Sequence, residues 1–464
     1  MSVVKPISPQ TQLEQSFRQR LNTLVTEEPF EGFQDLRLRA LSRFEHLGFP
    51  TRRLEAWKYI NLRPLMNQAF LPFSDVKTTI TREDLAQHLL QDPAGMAQLV
   101  FVNGQFNQSL SQVPTNLPQD VLLGSLKAVA QSESQAIQTL LAQRLENFLS
   151  KEPDAFAALN AALFEDGALV VVSDNAVVEP LVQLLFVSTP DGQARTAATR
   201  NVISLGENAK VNLVISHIAL DESADSDYFN NSVQEFILAE GAQAECSIVF
   251  NESDKGWHLS ATRSQLAAEA RLQLNTVTLG GHVTRHSITS LLQGEKAEVH
   301  LNGLDVLCDQ TEVYHHTVSE HWVPNCVSNQ YYKGILDDEA KSEFNGMVFV
   351  AQGANGTDSQ QLNKNLLLSE DARVWTRPQL QINADDVKCA HGATVGQLEK
   401  DQLFYLASRG LDFELAQGLL TYGFAEEIIQ RIESEPLRRY LDNRVLNNLH
   451  KTSAQVKQRI GNGK

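Results

Sequence analysis

Apolar residues near the start of the chain recur at helical spacing. Leu13, Phe17, Leu21 and Leu24 lie three or four residues apart, which predicts helix over roughly residues 10–48, up to Pro-containing punctuation. A second helical stretch is expected from about Ser125 to Leu149. Between them Leu99-Val100-Phe101-Val102 reads as a strand, and Asn103-Gly104 behind it is a strong turn signal. Residues 1–164 therefore form a helical and mixed α/β region.

From about residue 165 to 396 the texture changes to short runs of Val, Ile, Leu and Phe broken by Gly, Asn, Asp or Glu. Inside it a motif recurs: Leu205 to Ala209, Leu238 to Ala242, Leu266 to Ala270, Leu336 to Ala340 and Leu368 to Ala372 all carry Leu four residues before Ala. Leu292 to Ala297 has the same texture with one extra residue. The steps are roughly 30 residues, with one longer step from Ala297 to Ala340. Strand, acidic turn, small residue and strand at that interval describe a stack in which each coil buries its apolar face against its neighbours. A β-solenoid, or parallel β-helix, is the favoured fold, with a sandwich of look-alike hairpins as the alternative. The class is mainly β with flanking α.

After Gly396 the spacing turns helical again, and residues 397–464 read as a small helical domain. Gln397 to Arg409 closes on Gly410, Asp412 to Tyr422 closes on Gly423, and Pro436 opens a stretch reaching about His450. Leu403, Phe404, Leu411, Leu415, Leu419, Leu420, Phe424 and Ile428 are more apolar surface than three short helices can hide, so part of it should dock on the solenoid or on a partner.

Composition narrows the function. The 464 residues hold 56 acidic and 39 basic side chains, a formal net charge of −17, which argues against a general nucleic-acid binder. The first fifteen residues lack the pattern of a secretory signal and no run suits a membrane span, so a soluble, cytoplasmic protein is expected. Neither G-x-x-x-x-G-K-[ST] nor a strand-linked G-x-G-x-x-G occurs; ATP, if used, is bound by another chain.

The four cysteines, Cys246, Cys308, Cys326 and Cys389, contain no C-x-x-C pair and make neither a disulfide framework nor a self-sufficient metal site. Eight of the 12 histidines fall at His258, His282, His286, His300, His315, His316, His321 and His391, without a fixed-spacing metal motif. The segment around Cys389 and His391 differs. If Val387 to His391 is extended, thiol and imidazole share one face, about 6.6 Å apart along the strand. Both are metal ligands, and a protonated His391 would favour the thiolate. Two ligands hold neither zinc nor a cluster, so the rest would come from distant histidines or another subunit; a buried Cys beside a turn His fits the residues equally well.

The string Asp385-Asp-Val-Lys-Cys-Ala-His-Gly-Ala-Thr-Val-Gly-Gln-Leu398, followed by Leu403-Phe-Tyr-Leu-Ala-Ser-Arg-Gly410, resembles the C-terminal signature of the SufD branch of the SufB/SufD family of iron-sulfur cluster assembly proteins. Arg53-Leu-Glu-Ala-Trp-Lys-Tyr59, Phe101-Val-Asn-Gly-Gln-Phe106 and Phe156-Ala-Ala-Leu-Asn-Ala-Ala-Leu-Phe-Glu-Asp-Gly167 are similar to the same family, in its order. The resemblance implies a right-handed parallel β-helix between an N-terminal α/β region and a C-terminal helical domain. It implies a noncatalytic scaffold that pairs with SufB through the β-helix ends, while the ATPase SufC docks on roughly residues 397–449 and supplies the ATP site. It places the contribution to cluster assembly on His391, with Cys389 close by, a transient iron-sulfur cluster at the SufB–SufD interface and the other essential Cys on SufB. Sulfur would come from SufS–SufE, and reduced flavin is associated with the family's complex. His391-Gly392, where SufB-type chains carry His-Glu, and the few cysteines favour the SufD branch.

Two rival readings belong to other classes. A β-helix carbohydrate-active enzyme would use carboxylates such as Asp337, Asp338, Asp385 and Asp386, but adjacent strand residues face opposite ways and make no dyad. A homodimeric adaptor would pair through the open end of the solenoid.

Overall fold

The spacing of Leu13, Phe17 and Leu21 produces a helix that buries all three side chains. It is α1 (Gln12–Glu27) of the computed structural model, which describes residues 11–27, 31–92, 95–114, 117–118, 121–130, 152–220 and 226–446. The N-terminal region continues with α2 (Glu31–Leu47), α3 (Arg63–Met66), β1 (Leu71–Pro72), β2 (Met96–Val102), β3 (Gln105–Phe106), β4 (Val121–Ser125) and α4 (Leu126–Ala130). Asn103 and Gly104 both take positive φ and turn β2 into antiparallel β3, as the Asn-Gly signal predicts. Of the helix expected from Ser125 to Leu149, α4 is seen and residues 131–149 lie outside the described residues.

Helix α5 (Ala155–Leu163) seats this region on the body. All of its residues are buried, because its alanines let it fit between α2 and the sheet beneath. Asp154 caps it, accepting from the amides of Phe156 and Ala157. The Asn160 amide donates to Thr199 O and Asn231 O at 3.0 and 2.9 Å. Ion pairs Arg263–Glu152 at 2.7 Å and Arg285–Asp154 at 2.9 Å lie buried at the same junction, where each charge keeps a partner.

The body is a β-solenoid of about seven turns. Its first strands are β5 (Ala168–Val172), β6 (Val177–Ser188), β7 (Arg195–Leu205), β8 (Lys210–Ala219), β9 (Tyr228–Leu238) and β10 (Gln243–Asn251). Then come β11 (Gly256–Leu266), β12 (Arg271–Thr278), β13 (Val283–Leu292), β14 (Glu298–Leu307) and β15 (Glu312–His321). The last are β16 (Val327–Leu336), β17 (Lys341–Val350), β18 (Thr357–Leu367), β19 (Arg373–Ile382) and β20 (Val387–Gly396). From β5 onward, odd strands build one sheet and even strands the other, each strand pairing in parallel with the strand two places on. That pairing excludes a sandwich of hairpins, whose strands would be antiparallel to their sequence neighbours.

The Leu-to-Ala motif marks two corners rather than one. Ala209, Ala242, Ala270 and Ala297 stand where an odd strand passes to an even one, and Cys326 takes that place in the next coil. The residue immediately before each of them, Asn208, Gly241, Glu269, Lys296 or Asn325, has positive φ, so a left-handed residue makes the bend and a small buried one fills it. Ala340 and Ala372 stand at the opposite corner, where even passes to odd. The long step from Ala297 to Ala340 is the change of corner.

At the far end, α6 (Lys400–Ser408) closes on Gly410, whose φ is 90°. The next helix does not stop at Gly423. It runs on as α7 (Phe413–Ile429), because Ala425, Ile428 and Ile429 are buried with Val277, Leu304 and Ile335 and hold the chain helical past a glycine that keeps negative φ. A helix α8 covers 435–446; the rest of the expected stretch toward His450 lies outside the described residues.

Candidate functional site

The two ends of the solenoid differ. At the N-terminal end the odd sheet finishes in antiparallel β4 and the even sheet in β2 and antiparallel β3. At the other end β19 and β20 each have one neighbour and, among the described residues, one free edge. No residue of either strand is buried, whereas every solenoid strand before them has buried residues. Ile382 and Val395, which face the axis by register, are 39% and 48% exposed. An uncapped coil with free edges is a surface for pairing with another chain.

Cys389 and His391 lie on this last coil. β20 is in register with β18 so that Cys389 opposes Ser359 and His391 opposes Gln361, and both of those are buried, inward-facing residues. The shared face expected from the sequence is thus the inner one. Two hydrogen-bonded ladders climb toward it. In one, His321 Nε2 lies 2.8 Å from Ser328 Oγ and Ser328 Oγ 2.8 Å from Ser359 Oγ, with Cys389 on the next rung. In the other, Gln361 Nε2 donates to Gln330 Oε1 at 2.8 Å, with His391 next.

The two side chains have different surroundings. Cys389 packs, half-buried, against Val348, Val350 and Ala354. Burial, with the Asp358 carboxylate second, pushes its thiol up. The thiolate that a protonated His391 would favour is opposed here by desolvation. His391 is exposed at the mouth of the coil. Among the described residues no group of three or more His, Cys, Asp or Glu side chains is arranged to hold a metal ion.

His258, His286, His315 and His321 are interior hydrogen-bonding groups. His258 Nε2 lies 2.8 Å from Ser232 Oγ, His286 Nε2 2.8 Å from Thr262 Oγ1 and His315 Nε2 2.9 Å from Asp305, all buried. Burial holds His316 and His321 down to about 4. His282 and His300 are half-buried on the outside. Asp337 and Asp338 shape a corner: Asp337 Oδ1 accepts from Asp338 N at 2.9 Å and Asp338 Oδ2 from Asp309 N at 3.2 Å. Cys246 and Cys326 are buried, and Cys308 is half-buried at a corner.

Elements distant in sequence frame the last coil. The Arg53–Tyr59 string reaches β19, where Tyr59 stacks on Trp375 with ring centroids 4.6 Å apart and Glu55 pairs with Arg377. Its Trp57 lies under the Arg285 guanidinium, 3.7 Å from the ring centroid. The remaining two strings meet at Asp166, which accepts from the amides of Phe106, Lys127 and Gly167 and from Ser125 Oγ. Beyond β20, Gln397-Leu398-Glu399 lead directly into α6. No residue of α6 is buried, and Phe404, Tyr405, Phe413, Leu415 and Leu419 form an apolar surface on α6 and the first half of α7. The second half of α7 is fastened to the even sheet by Lys333, which pairs with Glu427 and donates to Phe424 O at 2.9 Å. Sequence reasoning did not find Trp375, Gln361 or Lys333. Trp375 had a signal in being an aromatic on the final strand; a glutamine or lysine inside a strand carries none.

Comparison with known proteins agrees with this architecture. Residues 186–424 match the SufBD core domain of the SUF iron-sulfur cluster assembly system, and residues 7–184 match the SufBD protein N-terminal region. A SufBD family protein of Synechocystis, named as acting in iron-sulfur cluster assembly, is 33% identical over 394 residues, 83% of this chain and 84% of its own. The iron-sulfur cluster assembly protein SufD of Escherichia coli is 30% identical over 409 residues, 87% of this chain and 90% of its own. SufD of Bacillus subtilis is 24% identical over 429 residues, 88% and 92% of the two chains. Among the described residues no helix is long and apolar enough to cross a membrane. With a β-solenoid between α/β and helical regions, and with matches over almost its whole length, the chain belongs to the SufBD family of iron-sulfur cluster assembly proteins.

Proposed function

We propose that this chain is a noncatalytic scaffold subunit of a SUF-type complex, and that its last coil is half of a cluster-building interface. The carrying observation is the uncapped coil, where β19 and β20 keep free edges and expose His391 while Cys389 sits just beneath the surface. A SufB-type solenoid of the same construction supplies the missing half, covering the apolar mouth and adding the ligands that two side chains cannot provide. The cluster is cargo, assembled transiently with His391 as this chain's ligand and Cys389 beside it. Sulfur reaches the partner from a SufS–SufE pair, and reduced flavin acts on the complex.

The apolar surface of α6 and the first half of α7 suits a SufC-type ATPase, which binds the ATP. A load on α6 passes to β20 through Gln397-Leu398-Glu399, so ATP-driven movement of the ATPase acts on the strand that carries His391. Anaerobic copurification tests the assembly. The full chain retains a SufB-type partner and the ATPase, and deletion of residues 397–464 releases the ATPase; recovery of neither protein, or full ATPase retention after the deletion, contradicts the reading.

A further inference from the structure

The glutamine ladder beneath His391 ends in an acceptor that nothing fills. Gln330 is the lower rung, and its orientation is fixed: its Nε2 donates to Met347 O at 3.4 Å and to Ser319 Oγ at 3.1 Å, and a carbonyl oxygen can only accept. Gln330 Oε1 therefore faces the other way, accepting from Thr317 Oγ1 at 2.7 Å and from Gln361 Nε2 at 2.8 Å. That in turn fixes the Gln361 amide, since presenting its oxygen to Gln330 Oε1 would set acceptor against acceptor. The Gln361 Oε1 is left buried with no hydrogen-bond partner among the described residues, on a residue only 2% exposed.

A buried carbonyl oxygen without a donor costs roughly 1–3 kcal/mol. The ladder offers one direction in which the loss can be recovered. Below Gln361 stands Gln330, already satisfied; above it, in register on the last strand, stands His391. Gly346 borders the ladder, and a Cβ there would come within 2.3 Å of Gln361 Nε2, so the fold leaves the amide just enough room. A neutral imidazole has one N–H and one bare nitrogen, and histidine ligands usually give that N–H to a fixed oxygen acceptor behind them.

We propose that Gln361 is the positioning residue for His391. When a partner covers the last coil, Gln361 Oε1 accepts the N–H of the His391 ring, and the second ring nitrogen is held bare toward the interface. This rests on the reading that His391 is this chain's ligand in cluster assembly. The acceptor is prebuilt by Thr317, Ser319 and Gln330, so closing the interface both orients the ring and selects its tautomer.

The test compares Gln361→Met, which keeps the length and loses the acceptor, with Gln361→Glu in the anaerobically reconstituted complex. Buried against Gln330 Oε1, the introduced carboxyl group is held as the neutral acid, which donates its O–H to Gln330 and keeps its carbonyl oxygen toward His391. Cluster build-up, read from iron-sulfur absorbance, should fall about tenfold with Gln361→Met and stay within about twofold of wild type with Gln361→Glu. A merely structural role would show as lost copurification with the partner, which both variants should keep. Wild-type build-up with Gln361→Met, while His391→Ala abolishes it, overturns the positioning role and leaves the site reading standing; wild-type build-up with His391→Ala overturns both. A structure of the unmutated complex gives an answer independent of how the variants fold. A ring nitrogen within about 3.2 Å of Gln361 Oε1 supports the proposal, and a separation beyond about 3.5 Å overturns it.

Discussion

Tyr59 stacks on Trp375 at a ring-centroid distance of 4.6 Å and an interplanar angle of 16°, joining the N-terminal region to the last coil of the solenoid. With the Glu55–Arg377 pair it braces β19 from outside, whereas β20 leads straight into the exposed helix α6. The open end therefore has one strand held from outside and one that continues into an exposed helix.

The stack should be measurable as a coupling. In urea unfolding, Tyr59→Ala and Trp375→Ala each lower stability, and the double variant loses less than the sum, by about 1 kcal/mol. Strict additivity would mean that the rings share no energy and that β19 is not braced from this side.

The Lys333 clamp predicts an asymmetry. The Lys333 side chain is 3% exposed and that of Glu427 55%, so removing the carboxylate strands a buried ammonium, while removing the lysine leaves a carboxylate that water can solvate. Limited proteolysis between residues 413 and 446 should accelerate more in Glu427→Ala than in Lys333→Met. The opposite order would place the anchor in the other contacts of Lys333, such as its bond to Phe424 O, rather than in the ion pair.

Asp166 ties together two segments that are distant in sequence. Its carboxylate accepts from Phe106 N at 3.0 Å, Ser125 Oγ at 2.7 Å, Lys127 N at 3.1 Å and Gly167 N at 2.8 Å, and burial raises its pKa. Asp166→Ala should cost at least about 3 kcal/mol through unsatisfied donors. Asp166→Asn, which keeps one oxygen and carries no buried charge, should cost about 1 kcal/mol. Equal losses in chemical denaturation would show that the charge, and not the acceptor geometry, holds the junction.

Burial holds His321 down to about 4, against an ordinary value of 6.5. The folded state thus favours the neutral ring. Its contribution is complete above pH 6.5 and is lost as pH falls toward 4, because the unfolded chain takes up the proton first. His321→Gln keeps a nitrogen near Ser328 without the titration. The variant should lose roughly 2 kcal/mol less than wild type between pH 7 and pH 4. Parallel stability curves would show that His321 does not contribute to acid lability.

The repeat was legible because a corner is local. A left-handed residue followed by a small buried one, as in Asn208-Ala209 or Glu269-Ala270, leaves its mark on adjacent positions. Which corner a motif occupied was not legible, since Leu336 to Ala340 spells the same pattern at the opposite edge. The run of α7 through Gly423 was hidden because Ile428 and Ile429 are stabilised by strands far back in the sequence, at Val277, Leu304 and Ile335. At the site, alternation placed Cys389 and His391 on one face, but not which face: the inner side was decided by register with Ser359 and Gln361. The rise in the Cys389 pKa depends on Val348, Val350 and Asp358, which meet it only when the coil is wound. The glutamine ladder needs three successive coils and has no trace in any short stretch of sequence.

The central claim, that the open coil builds clusters through His391, is tested most directly by anaerobic reconstitution of the complex with His391→Ala. The variant should copurify with its SufB-type partner and its ATPase in wild-type amounts, because the ring is exposed and supports no core contact, and should accumulate no iron-sulfur absorbance. Cluster formation at the wild-type rate in that complex would contradict the account.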